Sequence, residues 1–241
     1  MNVARTVIIT GGSQGIGAGL VQAFLDRDYN IVATSRHVTR SKDLPSSSKL
    51  ALIDGDIGDA STATGVAEAA ISTFGSIDAL VNNAGIFLMK PFTDYTDEDF
   101  KRLVATNFGG FIYMTQIAIK RMLAQKSGGS IVSITASLAD NPIAGVNASI
   151  PMITKGGIDA ITRSLAIEYA KYQIRVNAVA PGVVDTPMHR NSPTDFLRTL
   201  SPMGSISNVQ EIVDAVIYLT EAPHVTGEVL HVDGGAHIGK W

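Results

Sequence analysis

Seven short apolar runs alternate with segments of helical period along this chain, and that alternation constrains its fold more than any other feature. The runs lie at 6–10, 31–35, 50–53, 79–81, 130–134, 175–179 and 228–232, rich in Val and Ile on consecutive positions. Consecutive apolar residues suit a strand buried on both faces. Between them, 15–28, 61–74, 97–125, 153–172 and 209–220 carry apolar residues at helical spacing. Strands and helices in this order form right-handed βαβ units. The expected fold is α/β: one Rossmann-type doubly wound parallel sheet in a three-layer α/β/α sandwich. No linker-like stretch or repeat divides the 241 residues, so a single domain over 1–241 is expected.

Two stretches break the rhythm. Residues 42–49 are polar and Ser-rich, as in a surface loop. Residues 183–208 carry Pro187, Pro193 and Pro202 with little periodicity. A connection that long inside a compact domain is usually functional, and a substrate lid is the expectation.

Composition removes several classes of function. A net charge of −3 with no basic stripe gives no reason to expect a nucleic-acid partner. The absence of cysteine excludes disulfides and thiolate chemistry. No apolar run approaches the ~20 residues of a membrane helix, and the start of the chain lacks the pattern of a signal peptide. A cytoplasmic protein is expected. His224, His231 and His237 are scattered without metal-ligand spacing, so no catalytic metal is expected.

The chemistry-bearing motif is Thr10-Gly11-Gly12-Ser13-Gln14-Gly15-Ile16-Gly17, which follows the first strand and opens the first helix. Glycines there allow a tight turn and let backbone N–H groups approach a pyrophosphate, and the helix N-terminus adds partial positive charge. The second strand ends at Thr34-Ser35-Arg36. A dinucleotide site selective for NAD places an acid there for the ribose hydroxyl, whereas Arg accommodates a 2′-phosphate. No acid occurs between Asp28 and Asp43, while Arg36 and Arg40 are present. NADP, or NADPH, is therefore the expected cofactor, preferred over NAD.

Together with further motifs, the chain resembles the short-chain dehydrogenase/reductase family over essentially its whole length. The motifs are Asp56-Ile57 after the third strand, Asn82-Asn83-Ala84-Gly85 after the fourth, Asn107 in Thr106-Asn107-Phe108, the run from Arg175 to Pro181-Gly182, and Val229 to Gly235 at the last strand. The resemblance implies that Asp56 and Ile57 meet the adenine and that Asn83, Ala84 and Gly85 line the cofactor. It also implies that Pro181, Gly182, Val184 and Thr186 reach the nicotinamide end. Family chemistry runs through Asn, Ser, Tyr and Lys. The tyrosine exchanges a proton with substrate oxygen, and a lysine four residues later lowers its pKa and holds the nicotinamide ribose. Asn107, Ser137 and Lys155 match three of these, Lys155 as cofactor ligand too. Leu138 stands at the family serine's commonest spacing, and Ser133 and Thr135 are hydroxyl neighbours.

The tyrosine is missing. Four residues before Lys155 stands Pro151, and no tyrosine lies between Tyr113 and Tyr169. Proline does not titrate, though it suits the start of a helix. Ser149, Thr154, Lys155 itself and His189 are the alternative proton groups, with Arg190 a candidate for an acidic substrate. Reduction of a C=C bond, as in the similar dienoyl-CoA reductases, demands less of a tyrosine. Two functions are consistent with these residues. One is an NADP-dependent oxidoreductase acting on a small carbonyl, alcohol or enoyl substrate. The other is an NADP-binding protein with little catalysis, serving as sensor or oligomer partner. The resemblance also implies a homo-oligomer, dimer or tetramer, built on the helices 97–125 and 153–172 and the last strand. Ala160 and Ala166 would allow close packing there, or in a core.

Overall fold

The computed structural model describes residues 4–239. Seven parallel strands form one sheet: β1 Thr6–Thr10, β2 Asn30–Ser35, β3 Leu50–Asp54, β4 Ala79–Asn82, β5 Gly129–Ile134, β6 Ile174–Pro181 and β7 Val229–Val232, in the order β3-β2-β1-β4-β5-β6-β7. Helices α1 (Gly15–Leu25) and α7 (Val209–Glu221) pack on one face. Helices α2 (Ala60–Phe74), α4 (Gly110–Gln125) and α5 (Ser149–Tyr169) cover the other. This is the doubly wound, Rossmann-type fold.

Strand β1 shows why the apolar runs are unbroken. Val7 and Ile9 join the layer with Phe24 and Val213, while Ile8 between them joins the opposite layer with Leu80 and Met114. All three are fully buried, each contributing about 1.5–3 kcal/mol by leaving water. Ala166 belongs to this second core layer, whereas Ala160 is exposed. Because chain order reverses between β1 and β4, a crevice opens at the carboxyl ends of these strands.

The structure corrects three boundaries. The helix expected over 97–125 is divided into α3 (Asp97–Leu103), a π-helical turn Val104–Gly109, and α4. Asn107 lies inside that turn, almost fully buried, with its side chain bonded both ways to the Ile86 backbone. A π-turn takes an extra residue into one turn and shifts the helical phase there. The helix expected from residue 153 begins at Ser149 and takes in Pro151 as its third residue. It still lies in the first turn, where a missing N–H leaves no intrahelical acceptor unused. The helix expected over 15–28 ends at Leu25, and Asp28 takes a left-handed φ of 66°.

Residues 183–208 are not structureless. Val184 bridges Ser207, and the span between them holds a 3₁₀ turn (Pro187–His189) and a short helix, α6 (Thr194–Arg198).

Candidate active site

The glycine loop is fixed by close approach. A Cβ on Gly17 would stand 2.1 Å from the Gly11 carbonyl oxygen, and one on Gly11 would stand 2.8 Å from Cα of Ala84. Gly11 and Gly15 also have positive φ, 67° and 55°. The loop is clamped from β4: Asn83 Nδ2 donates to the carbonyls of Thr10 (2.9 Å) and Gly11 (3.1 Å). Thr10 Oγ1 accepts from the N–H groups of Asn83 and Ala84, both at 3.0 Å. Helix α1 has no side-chain cap at Gln14 and no acid in its first turn. Its leading N–H groups therefore remain available to an anion. Ser13 accepts from Ser41 Oγ at 2.6 Å, and Ile16 leans on the core.

At the end of β2, Ser35 is half-buried and Arg36 and Arg40 are exposed, neither arginine ion-paired among the described residues. The sheet brings in an acid the local sequence does not show, since Ser35 pairs in register with Asp54. Asp54 is already engaged by Thr39, through Oγ1 at 2.6 Å and N at 2.9 Å, and these bonds hold it below the usual carboxylate range. Asp56 is exposed and accepts from the Gly58 N–H. Ile57 is buried, with its side chain and its carbonyl both close to Gly110.

Asn107, Lys155 and Gly85 meet beyond the glycine loop. A Cβ on Gly85 would lie 3.3 Å from Lys155 Nζ and 3.4 Å from Asn107 Oδ1, which places the three groups together. Lys155 Nζ donates to the Ile134 carbonyl at 2.7 Å. Asn107 Nδ2 donates to Thr154 Oγ1 at 3.2 Å, which donates to the Pro151 carbonyl at 2.7 Å. A small cavity between these elements is lined by Thr10, Asn82, Ala84, Asn107, Ile134 and Lys155. Burial brings the Lys155 amine down to about 8, opposed by the negative charge of Asp159 one turn on. Sequence reasoning named Thr10 only as part of the glycine motif and Thr154 only as an alternative proton group, and it missed Asp159, for which the four-residue spacing from Lys155 was an available signal.

Ser137 is buried in a 3₁₀ turn (Ser137–Ala139) after β5, and its hydroxyl has no hydrogen-bond partner among the described residues. Its neighbours are committed, Thr135 Oγ1 to the Val179 carbonyl and Ser133 Oγ to Asn82 Nδ2. Pro181 ends β6, and Gly182 N donates to the Val232 carbonyl, with Asp233 Cα 3.0 Å from where a Cβ would stand. Val184 is buried. Thr186 lies across from Gly15, joining the start of the 183–208 segment to the glycine loop. Burial lowers His189 below the ordinary histidine value, and Arg190 is exposed. His231 and His237, six residues apart in sequence, stack at 3.8 Å, bonded to Asp140 (2.7 Å) and Asp233 (2.9 Å) respectively. No cluster among the described residues has the makings of a metal site.

The cradle fits a dinucleotide: it has glycines a side chain would block, an uncapped helix start, unpaired cations past β2 and an amine at the far end of the crevice. Known proteins agree with this reading of the fold. The family described as Enoyl-(Acyl carrier protein) reductase matches residues 11–237. L-xylulose reductase from Mesocricetus auratus is 33% identical over 239 residues, covering 96% of each chain. The 3-ketoacyl-(acyl-carrier-protein) reductase from Brucella melitensis, complexed with NADH, superposes with a TM-score of 0.90 at 29% identity, covering 97% of this chain and 98% of that one. ElxO with NADP bound superposes at 0.87 with 27% identity, covering 97% and 98%. Among the described residues no helix is long and apolar enough to cross a membrane. The chain belongs to the short-chain dehydrogenase/reductase family.

Proposed function

We propose that this protein is an NADP-dependent oxidoreductase that acts on a small carbonyl, alcohol or enoyl substrate. The single observation that carries the reading is the convergence of Lys155 Nζ with Gly85 and Asn107 at the carboxyl edge of the sheet, past an intact glycine cradle. Gly11, Ser13, Gln14, Gly15, Ile16 and Gly17 would hold the pyrophosphate by backbone N–H groups. Ser35 and Arg36 would take the 2′-phosphate, because Asp54, the acid that faces them, is already bonded to Thr39. Asp56 and Ile57 would border the adenine. Asn83, Ala84 and Gly85 would shape the ribose side, and Pro181, Gly182, Val184 and Thr186 the carboxamide side. When bound, NADPH supplies a hydride to the substrate carbon.

The chain's own residues then have to orient the substrate and manage one proton. Ser137 offers a free hydroxyl to a substrate oxygen. Asn107 holds the β4 loop and, through Thr154, the first turn of α5. Pro151 carries no proton, so Lys155 takes the acid role, directly or through water. An ammonium that titrates near 8 is charged at neutral pH yet able to give its proton up. Residues 183–208 serve as the substrate lid of one domain. Exposed Ile153 and Ile167 on α5 support self-association as a homo-oligomer, and the composition supports a cytoplasmic setting.

NADPH oxidation against a panel of aldehydes, ketones and enoyl thioesters tests this, in the parent protein and in Lys155→Met. Turnover in the parent that falls in Lys155→Met supports the reading. Saturable NADPH binding with no turnover on any substrate would leave a dinucleotide-binding sensor or oligomer partner instead.

A further inference from the structure

Asp159 lies on α5, one helical turn beyond Lys155 on the same face, and is 3% exposed. Neither carboxylate oxygen has a hydrogen-bond partner of good geometry among the described residues. The Thr135 hydroxyl is the donor beside it, and that hydroxyl is directed at the Val179 carbonyl at 3.3 Å. The charged groups that face Asp159 are Lys155 and Arg163 from α5 and Asp140 from the loop after β5, itself bonded to His231. A buried carboxylate kept for structure is expected to be satisfied by donors; an unsatisfied one costs stability and calls for another explanation.

We propose that Asp159 is the positioning residue of Lys155, a buried carboxylate whose negative charge holds the proton on the amine where this chain has Pro151 in place of a phenol. Along the row 151–155–159, proline precedes the lysine and cannot titrate. Asp159 is the only acid on α5 within one turn of it. Burial, reinforced by Asp140, raises Asp159 to about 6, opposed by the Thr135 hydroxyl and then by Lys155 and Arg163, while Lys155 sits at about 8. Between these values both groups are charged, and each favours the charged form of the other. The proposal rests on the reading of Lys155 as the amine of the cofactor site.

The test follows the two titrations directly by NMR. In protein labelled with ¹³C-lysine, the Lys155 Cε signal, assigned by its loss in Lys155→Met, is followed through pH in the parent and in Asp159→Asn. Its midpoint is expected to fall by about one pH unit, a tenfold loss of proton affinity. In protein labelled with ¹³C-aspartate, the Asp159 carboxyl midpoint is expected to rise in Lys155→Met by a matching amount, since coupling is reciprocal. The second arm stands alone if Asp159→Asn does not fold. Midpoints that ignore each other overturn the proposal. NADPH affinity, measured over the same pH range, is expected to weaken as Lys155 loses its proton, at lower pH in Asp159→Asn. Coupled titrations with an NADPH affinity that does not follow them would support the pair and overturn the placement of Lys155 in the cofactor site.

Discussion

Around the turn from β1 to α1, the polar atoms that shape the loop are spoken for: Thr10 Oγ1 accepts from Asn83 and Ala84, and Asn83 Nδ2 donates twice to the loop. Around the start of α5 the opposite holds. The Ser137 hydroxyl is unpaired, Asp159 is buried with no donor of good geometry, and Pro151 offers neither proton nor N–H. A region bonded to itself is a scaffold whose geometry is fixed before anything binds. A region with unsatisfied groups is completed by what enters it, and groups of that kind are where pKa values shift. Under the proposed function, the chain separates holding a cofactor from acting with it.

The largest effect is expected on the scaffold side. In Gly17→Ala the new Cβ meets the Gly11 carbonyl, backbone that cannot rotate away. A loss of at least about 3 kcal/mol in folding or NADPH binding is expected, roughly 100-fold in affinity. Thermal unfolding together with NADPH fluorescence titration reads both, and an alanine variant that binds normally breaks the picture of a preformed loop.

On the other side the expected sign is reversed. Asp159 titrates near 6 when folded against a reference value of 3.8, so the folded state holds its proton more tightly. That contribution to stability is fully present below about pH 4 and is lost as pH rises through 6. Asp159→Asn removes the loss, so its stability relative to the parent should grow between about pH 4 and 6, by up to about 3 kcal/mol. Denaturant unfolding at several pH values measures the difference. A gap that does not change with pH would place Asp159 on the scaffold side.

A smaller effect is expected at the edge of the cradle. Arg36→Ala should weaken NADPH by roughly tenfold and leave NADH unchanged, as the loss of one charge-assisted bond to a 2′-phosphate would. Equal losses for both cofactors would remove the basis for NADP preference.

Much of the scaffold side was legible in the sequence, because strands buried on both faces and glycines at fixed offsets leave local marks. The π-turn at Val104–Gly109 was not, since a shift of about one residue inside a long apolar helical pattern leaves no distinct local mark. Asp54 arrives opposite Ser35 only through β2–β3 pairing, and His231 reaches His237 only through the C-terminal turn. Pro151 in the tyrosine's place was plain from spacing. That Asp159 is buried with no donor of good geometry depends on how α5 lies against the loop after β5, which no local pattern encodes.

Pro151→Tyr tests the separation of the two regions most directly, with NADPH affinity and carbonyl turnover measured on the same preparation. The site is one turn before Lys155 and outside the glycine cradle. The expected result is an NADPH Kd within about twofold of the parent and a gain of about 100-fold or more in carbonyl reduction, the worth of a placed general acid. An affinity that collapses along with the substitution, or a carbonyl rate that does not move while the cofactor binds normally, would contradict it.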